Sequence, residues 1–340
     1  MKLKDLAQHL GLSQTTVSRA LNGYPEVNEA TRRRVLEAAR RHGYQPNANA
    51  RRLATGRAGA IGIVLPTDRN MLLDPHYMEF QSGLGETLLR DEIDIVLSPS
   101  RGGDEMTNYQ RMAVGSRVDG VVLSSPTLCD ERIPLLTELG LPFVLHGRTE
   151  AAVEHAWIDI DNEAAFHHAT KHLLDLGHRR IALVNGETRF TFARDRELGF
   201  RSALTARGIA VEERFVAAGV MSDEVGYRIA ERLLAEEPRP TALLVSSMMM
   251  SLGAFRAIRS AGLELGRDIS MIAHDDVFPF LNPDFMVPTM STTRSSIRAA
   301  GKRVGELLME LLDGRAADTI HELWPVELVI RASTGPAPKT

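Results

Sequence analysis

Near the N-terminus the apolar positions fall at helical spacing, with Leu6, Ala7 and Leu10 on one face of a short helix. Gly11 follows, where a residue tolerant of positive φ ends such a helix. Ser13 stands as N-cap of a second helix whose inward positions are Val17 and Leu21. Asn28 caps a third, running to about residue 42, with Val35, Leu36 and Ala39 as its apolar side and Gly43 as its end. Pro46 marks a boundary, and 47–56 has helical composition but little to bury, so alone in water it is marginal. From residue 60 the pattern changes to short apolar runs alternating with helical stretches. Strands are expected at 60–65, 93–98, 120–125 and 143–146, then at 181–184, 213–218, 242–247 and 269–273. Helices are expected at 77–90, 105–114 and 132–139, then at 162–176, 194–207, 223–235 and 249–261. A helix at 297–312 and a strand at 323–329 complete the chain, and the tail GPAPKT (335–340) is expected to be disordered.

Near-continuous apolar strands in repeated β-α units imply parallel sheets covered on both faces. Two rounds of them imply two doubly wound subdomains with ligand binding at the carboxyl ends of the strands. The fold class is therefore a small all-α head plus an α/β core. The expected boundaries are a head at 1–46, a hinge at 47–58 and a core at 59–334. Within the core, one subdomain takes 59–160 and 291–323, the other 161–290 and 324–334.

Charge separates the two parts. Residues 1–58 hold 11 Lys and Arg against 4 Asp and Glu, a net +7, which leaves −11 for the rest of a chain whose total is −4. A basic head on an acidic body points to a polyanion partner for the head alone. Two short helices joined by a Gly-containing turn form a helix-turn-helix, whose second helix reads the DNA major groove. Gln14, Thr15, Ser18 and Arg19 are left off its apolar face. Gln14, Thr15 and Arg19 are the expected base readers, and Thr16, Ser18 and Asn22 the expected phosphate contacts. Cys129 is the only cysteine, which excludes an internal disulfide or a Cys-based zinc site. No apolar run approaches a membrane span of ~20 residues. MKLKDLAQHL lacks the apolar region of a signal peptide, so the expected location is the cytoplasm.

TVSRALNG (16–23), with DLAQHLGLS before it and YQPNANARRLATGR (44–57) after it, resembles the lactose repressor/galactose repressor (LacI/GalR) family of bacterial transcription regulators. The resemblance extends over nearly the whole chain, diffusely in the core, which resembles periplasmic sugar-binding proteins. It implies that the hinge helix orders on DNA and that Leu53, flanked by Asn49 and Arg51, wedges between base pairs in the minor groove. In the core it implies a sugar-binding role for Arg196, with Phe200 as an aromatic near the pocket. Asp275, in HDD (274–276), would accept hydrogen bonds from two adjacent sugar hydroxyls. Asp74 and His76 lie in DPHY, where the family often has N-P-x-F and touches ligand. Ser247 falls where many members place Asn, and His146 where many have Asp. Met248 stands in place of the usual Asp, within an unusual Met run (248–250). These departures set the effector apart from that of the best-known members, and PFVLHGR (142–148) resembles members that sit with α-glucoside genes.

Some constellations only look chemical. Asp159 and Asp161 in DIDN resemble half a metal site, but Asp161 or Asn162 suits a helix cap. His168 and His172 lie one turn apart with no third ligand to complete a site. Asp275 and Asp276 are not an acid pair, because adjacent strand residues point to opposite faces. No metal, cofactor or catalytic residue is expected. The reading is a homodimeric repressor of carbohydrate (α-glucoside) uptake and catabolism genes, released from a palindromic operator by a small sugar. A corepressor-dependent or activating regulator stays open, as does a sugar-binding transport protein. A glycoside hydrolase would need two facing carboxylates, and none can be identified. No heptad run supplies a tetramerisation coil.

Overall fold

The computed structural model describes residues 1–21, 24–44, 56–67, 74–101 and 103–339. The chain divides into two compact units, Met1–Gly59 and Ala60–Thr340.

In the first unit α1 (Leu3–Leu10) ends on Gly11, which takes φ +66°. α2 (Gln14–Leu21) begins under a cap in which Ser13 Oγ accepts from Thr16 N at 3.0 Å. α3 (Glu29–Arg41) starts where Asn28 Oδ1 accepts from Thr31 N at 2.8 Å. Leu6, Ala7, Val17, Ala20, Val35, Ala38 and Ala39 close a small core. Leu36, expected on the inner side of α3, is 38% exposed. Ala38 and Ala39, three and four residues beyond Val35, share its face, whereas Leu36 is rotated about 100° away.

The second unit contains two six-stranded sheets among the described residues. The first is formed by β1 (Ala60–Pro66), β2 (Asp94–Ser100), β3 (Gly120–Ser124), β4 (Phe143–His146), β5 (Ala156–Ile160) and β11 (His321–Trp324). Its order is β11-β5-β4-β3-β1-β2, and every ladder is parallel. The second is formed by β6 (Ile181–Asn185), β7 (Val216–Ala218), β8 (Ala242–Val245), β9 (Ser270–Asp275), β10 (Ser291–Arg294) and β12 (Glu327–Val329). Its order is β12-β10-β9-β8-β6-β7, parallel except for the β10–β12 pair. The helices are α4 (Pro75–Leu88), α5 (Glu105–Val114), α6 (Arg132–Glu138), α7 (Asn162–Asp175), α8 (Thr191–Ala206), α9 (Asp223–Leu234), α10 (Met248–Ser260) and α11 (Ile297–Leu312).

Four expectations need correction. The expected strand at 323–329 is two strands in different sheets: Trp324 ends β11 and Glu327 starts β12, with Pro325, which lacks the N–H a ladder needs, between them. The expected return to the first subdomain at 291 comes after Arg294 instead, because β10 belongs to the second sheet. Glu213–Phe215 is a single 3₁₀ turn, so only half of 213–218 is strand. The tail is tied down rather than loose: Ala337 N donates to Leu176 O at 2.9 Å, and Gly335 N donates to Ser270 Oγ at 3.0 Å. The buried His178 also hydrogen-bonds Gly335 O at 3.1 Å.

α4 and α11 pack at backbone distance. A Cβ on Gly301 would lie 2.1 Å from Phe80 O, and one on Gly83 would lie 1.9 Å from Arg298 O. Only glycine permits that approach. The Arg298 guanidinium reinforces it by reaching Glu79 and Glu86 of α4.

Candidate functional site

On the head, α2 buries Val17 and Ala20 and turns its polar stripe outward. Gln14, Thr15 and Arg19 are exposed, as base-reading groups must be, and Ser18 is half-buried. The Thr16 hydroxyl is drawn into the cap, 2.8 Å from Ser13 Oγ. That bond fixes the entry of α2 and competes with a phosphate contact. Asn22, Asn49, Arg51 and Leu53 lie outside the described residues.

In the core, the carboxyl ends of the two sheets face each other, and the two subdomains touch there. Thr191 N, at the start of α8, donates to Pro126 O beyond β3 at 3.0 Å. Arg194 of α8 reaches Glu150 at 3.2 Å, and Arg148 bridges Asp159 at 3.0 Å and Asp195 at 3.6 Å. Burial raises the Asp159 carboxyl to about 6 despite Arg148.

Deeper between the walls lies a cluster of imidazoles, one carboxylate and one guanidinium. His76, in the first turn of α4, has Nε2 3.7 Å from Asp276 Oδ1. His274 Nε2 lies 3.5 Å from the same oxygen, and its Nδ1 is 3.0 Å from Thr293 Oγ1. The His146 ring, at the end of β4, stands 4.9 Å from Phe80 and 6.5 Å from His76. Arg196 is 5% exposed; its Nε donates to Asn162 Oδ1 at 2.8 Å and its Nη1 to Ser246 O at 2.6 Å. The guanidinium also lies over the rings of Phe166 and Phe192.

These surroundings set the charges. Burial pushes His146 down to about 3, helped by His76. Burial also pushes His274 down to about 4, helped by Arg196. Both rings are therefore neutral near pH 7. Burial works against ionisation of Asp276, but His76, His274 and Arg196 overcome it and hold the carboxyl below its usual range. Burial lowers Arg196 to about 10, where it still carries its charge, with Asp276 and Asp159 opposing the shift.

The structure thus brings His76, His146 and Arg196 together and separates others expected with them. Asp275 points the other way: its Oδ1 accepts from Val277 N at 2.8 Å, and its Oδ2 is 3.9 Å from Arg294 Nε. It is Asp276 that shares a face with His274, two residues apart at the end of a strand. Phe200 is fully buried among Phe166, Ala169, Leu173, Leu183 and Leu204, which makes it a packing residue. Ser247 Oγ caps α10 by accepting from Met250 N at 3.1 Å. Asp74 caps α4 by accepting from His76 N at 3.0 Å, and so orients the first turn that carries His76. Asp161 caps α7. Met248 and Met250 fill the core. Asp276, His274, Asn162 and Ser246 were not among the expected site residues. The first two stand in the HDD run, where strand alternation puts 274 and 276 on one face and could have found them.

The description "Bacterial regulatory proteins, lacI family" matches residues 2–47, and "Periplasmic binding protein-like domain" matches 170–334. The HTH-type transcriptional regulator AglR of Rhizobium meliloti (strain 1021) is 48% identical over 340 residues, 99% of this chain and 95% of that protein. Among solved structures, the lac repressor dimer bound to operator and the anti-inducer ONPF is similar over 98% of this chain and 99% of that one, at 27% identity and TM-score 0.83. A transcriptional regulator CelR–cellobiose complex is similar over 98% and 99%, at 28% identity and TM-score 0.73.

Proposed function

Since the chain belongs to the LacI family of bacterial regulatory proteins, we propose that it is a homodimeric repressor of carbohydrate, and specifically α-glucoside, utilisation genes, released from its operator by a small sugar. The observation that supports this most directly is one chain carrying both an exposed DNA-reading stripe on α2 and a polar cluster between two sugar-binding-type subdomains. Gln14, Thr15 and Arg19 enter the major groove, where an Arg hydrogen-bonds both acceptors of a guanine edge. A second subunit reads the other half-site, so the operator is an imperfect palindrome. Residues 47–58 serve as the hinge, with Leu53 as the minor-groove wedge.

The effector binds between the walls, against His76, His146, Arg196 and Asp276. A carboxylate with two acceptor oxygens suits adjacent hydroxyls, and CelR, a similar protein, is known with cellobiose. The sugar releases DNA only if it binds the DNA-free arrangement more tightly, since equal affinity for both shifts nothing. The protein acts by binding and not by catalysis, and it works in the cytoplasm, where its DNA is. No helix among the described residues is long and apolar enough to cross a membrane.

The test is fluorescence anisotropy on the DNA upstream of its own coding sequence, with maltose, sucrose and trehalose added in turn. Sequence-selective, salt-sensitive binding abolished by one sugar is the expected result. Selective binding that no sugar alters would remove the effector half of the proposal. Loss of selectivity would remove the DNA half.

A further inference from the structure

We propose that the chain carries a second small-molecule site, on the other face of the β9 end from the imidazole cluster, and that it takes a zwitterion with an ammonium beside a carboxylate, as in a free α-amino acid. Asp275 holds the ammonium and Arg294 the carboxylate.

Asp275 and Asp276 are consecutive and point to opposite faces. Asp276 faces His76 and His274, whereas Asp275 lines a cavity of about 370 Å³. Asp275 is 2% exposed, yet among the described residues only Val277 N donates to its carboxylate, at Oδ1 and 2.8 Å. Oδ2 has Arg294 Nε at 3.9 Å, beyond hydrogen-bond reach. Burial, joined by Asp276, pushes this carboxyl up against the opposing pull of the Val277 N–H, Arg294 and Arg331. A buried carboxylate short of donors is stabilised by a cation brought to it.

The other charges around the cavity are committed, Glu79 to Arg298 and Asp284 to Arg331. The Arg294 side chain is 46% exposed and has no hydrogen bond to a described residue. Asp275 and Arg294 are thus two open charges of opposite sign, side by side. An ammonium at Oδ2 and a carboxylate at the guanidinium fork give each a charge-assisted hydrogen bond that it lacks. A neutral polyol brings no charge to either, and a phosphate is repelled by Asp275.

Val277, Phe278, Pro279 and Pro283 supply an apolar wall for a side chain. Val277 takes φ +62°, a costly conformation for a β-branched residue, and this strained turn is the one whose N–H orients the Asp275 carboxylate. Glu79 of α4 and Arg298 of α11 line the cavity from the first subdomain, so a ligand here touches both subdomains.

The experiment is a thermal-shift screen of the full-length protein against the twenty free amino acids. Calorimetry then compares each hit with two analogues, the amine lacking the carboxylate and the acid lacking the ammonium. At least one amino acid should bind with a Kd below about 1 mM, and both analogues at least about tenfold more weakly. Asp275→Asn and Arg294→Gln should each weaken the amino acid by at least about tenfold. Arg294 is half-exposed, so Arg294→Gln decides alone if Asp275→Asn does not fold. Binding of no amino acid, an analogue as tight as its parent, or an affinity unchanged by Arg294→Gln overturns the inference. Each of these leaves the repressor reading standing, because the imidazole cluster lies on the opposite face of the strand end.

Discussion

Arg196→Met tests the centre of the site. The substitution keeps a long apolar stem against Phe166 and Phe192 but removes two hydrogen bonds and the cation that faces Asp276. Each bond to a charged group is worth about 1.5–3 kcal/mol, and the buried acceptors Asn162 Oδ1 and Ser246 O lose a donor. Arg196 and Asp276 act on each other at longer range, each favouring the other's charge. With two such bonds lost, the expected destabilisation is about 3–5 kcal/mol in urea unfolding. Adding Asp276→Asn removes the stranded carboxylate, and the double variant should recover about 1–3 kcal/mol relative to additivity. Operator affinity without sugar should change less than about threefold, since the reading helix lies in a separate compact unit, while release by the effector should be lost. Strict additivity of the two substitutions, or a stability loss below about 1 kcal/mol for Arg196→Met, would falsify the claim that the two charges are coupled.

Arg19→Ala should cost about 1–3 kcal/mol per half-site and relax base preference at one operator position, read by anisotropy on operator variants, with weak non-specific binding retained. Stability should fall with pH below neutrality. The His274 pKa in the folded protein is depressed from 6.5 to about 4, so the unfolded chain takes the proton first, and up to roughly 3 kcal/mol is lost as pH drops from about 6.5 to 4. His146 acts in the same direction. Urea midpoints at pH 7 and pH 5 check this, and a His274→Phe variant should show a shallower slope. Gly301→Ala forces a Cβ to within 2.1 Å of Phe80 O and should cost about 1–3 kcal/mol or more, whereas alanine at the exposed Arg315 should change stability by less than about 1 kcal/mol.

How far the sequence spoke depended on how local each signal was. The caps at Ser13 and Asn28, the αL end at Gly11 and the apolar runs of β1, β3, β4, β6 and β8 depend on neighbours in the chain, and all could be read directly. β10 could not: Ser-Thr-Thr-Arg has no apolar residue, yet Ser291, Thr292 and Thr293 are buried. Ser291 N donates to Ser333 Oγ, and Arg331 Nη1 donates to Thr292 Oγ1, both about forty residues away in sequence. The tail failed for the same reason, since composition does not reveal that Ser270, His178 and Leu176 wait for it. At the site, resemblance favoured Asp275, whereas the geometry groups Asp276 with His76, His274 and Arg196. Phe200 was expected near the pocket, and its burial in the core makes it a packing residue.

The same glycines that shape α4 bear on how binding becomes movement. His76 and Phe80 stand one turn apart on α4, both at the site. Further along, the helix presents its backbone directly to α11 at Gly83 and Gly301, and Arg298 ties the two through Glu79 and Glu86. Backbones in contact cannot slide by a side-chain rotation, because close-packed elements have few intermediate arrangements. On the function proposed above, a sugar that displaced His76 from Asp276 would act on α4 and α11 together. α11 in turn packs on β3 and β4, whose ends carry Ser124 and His146. On the function proposed above, the first subdomain would respond to an effector as one body, and the His76–Asp276 contact is one link between it and the second.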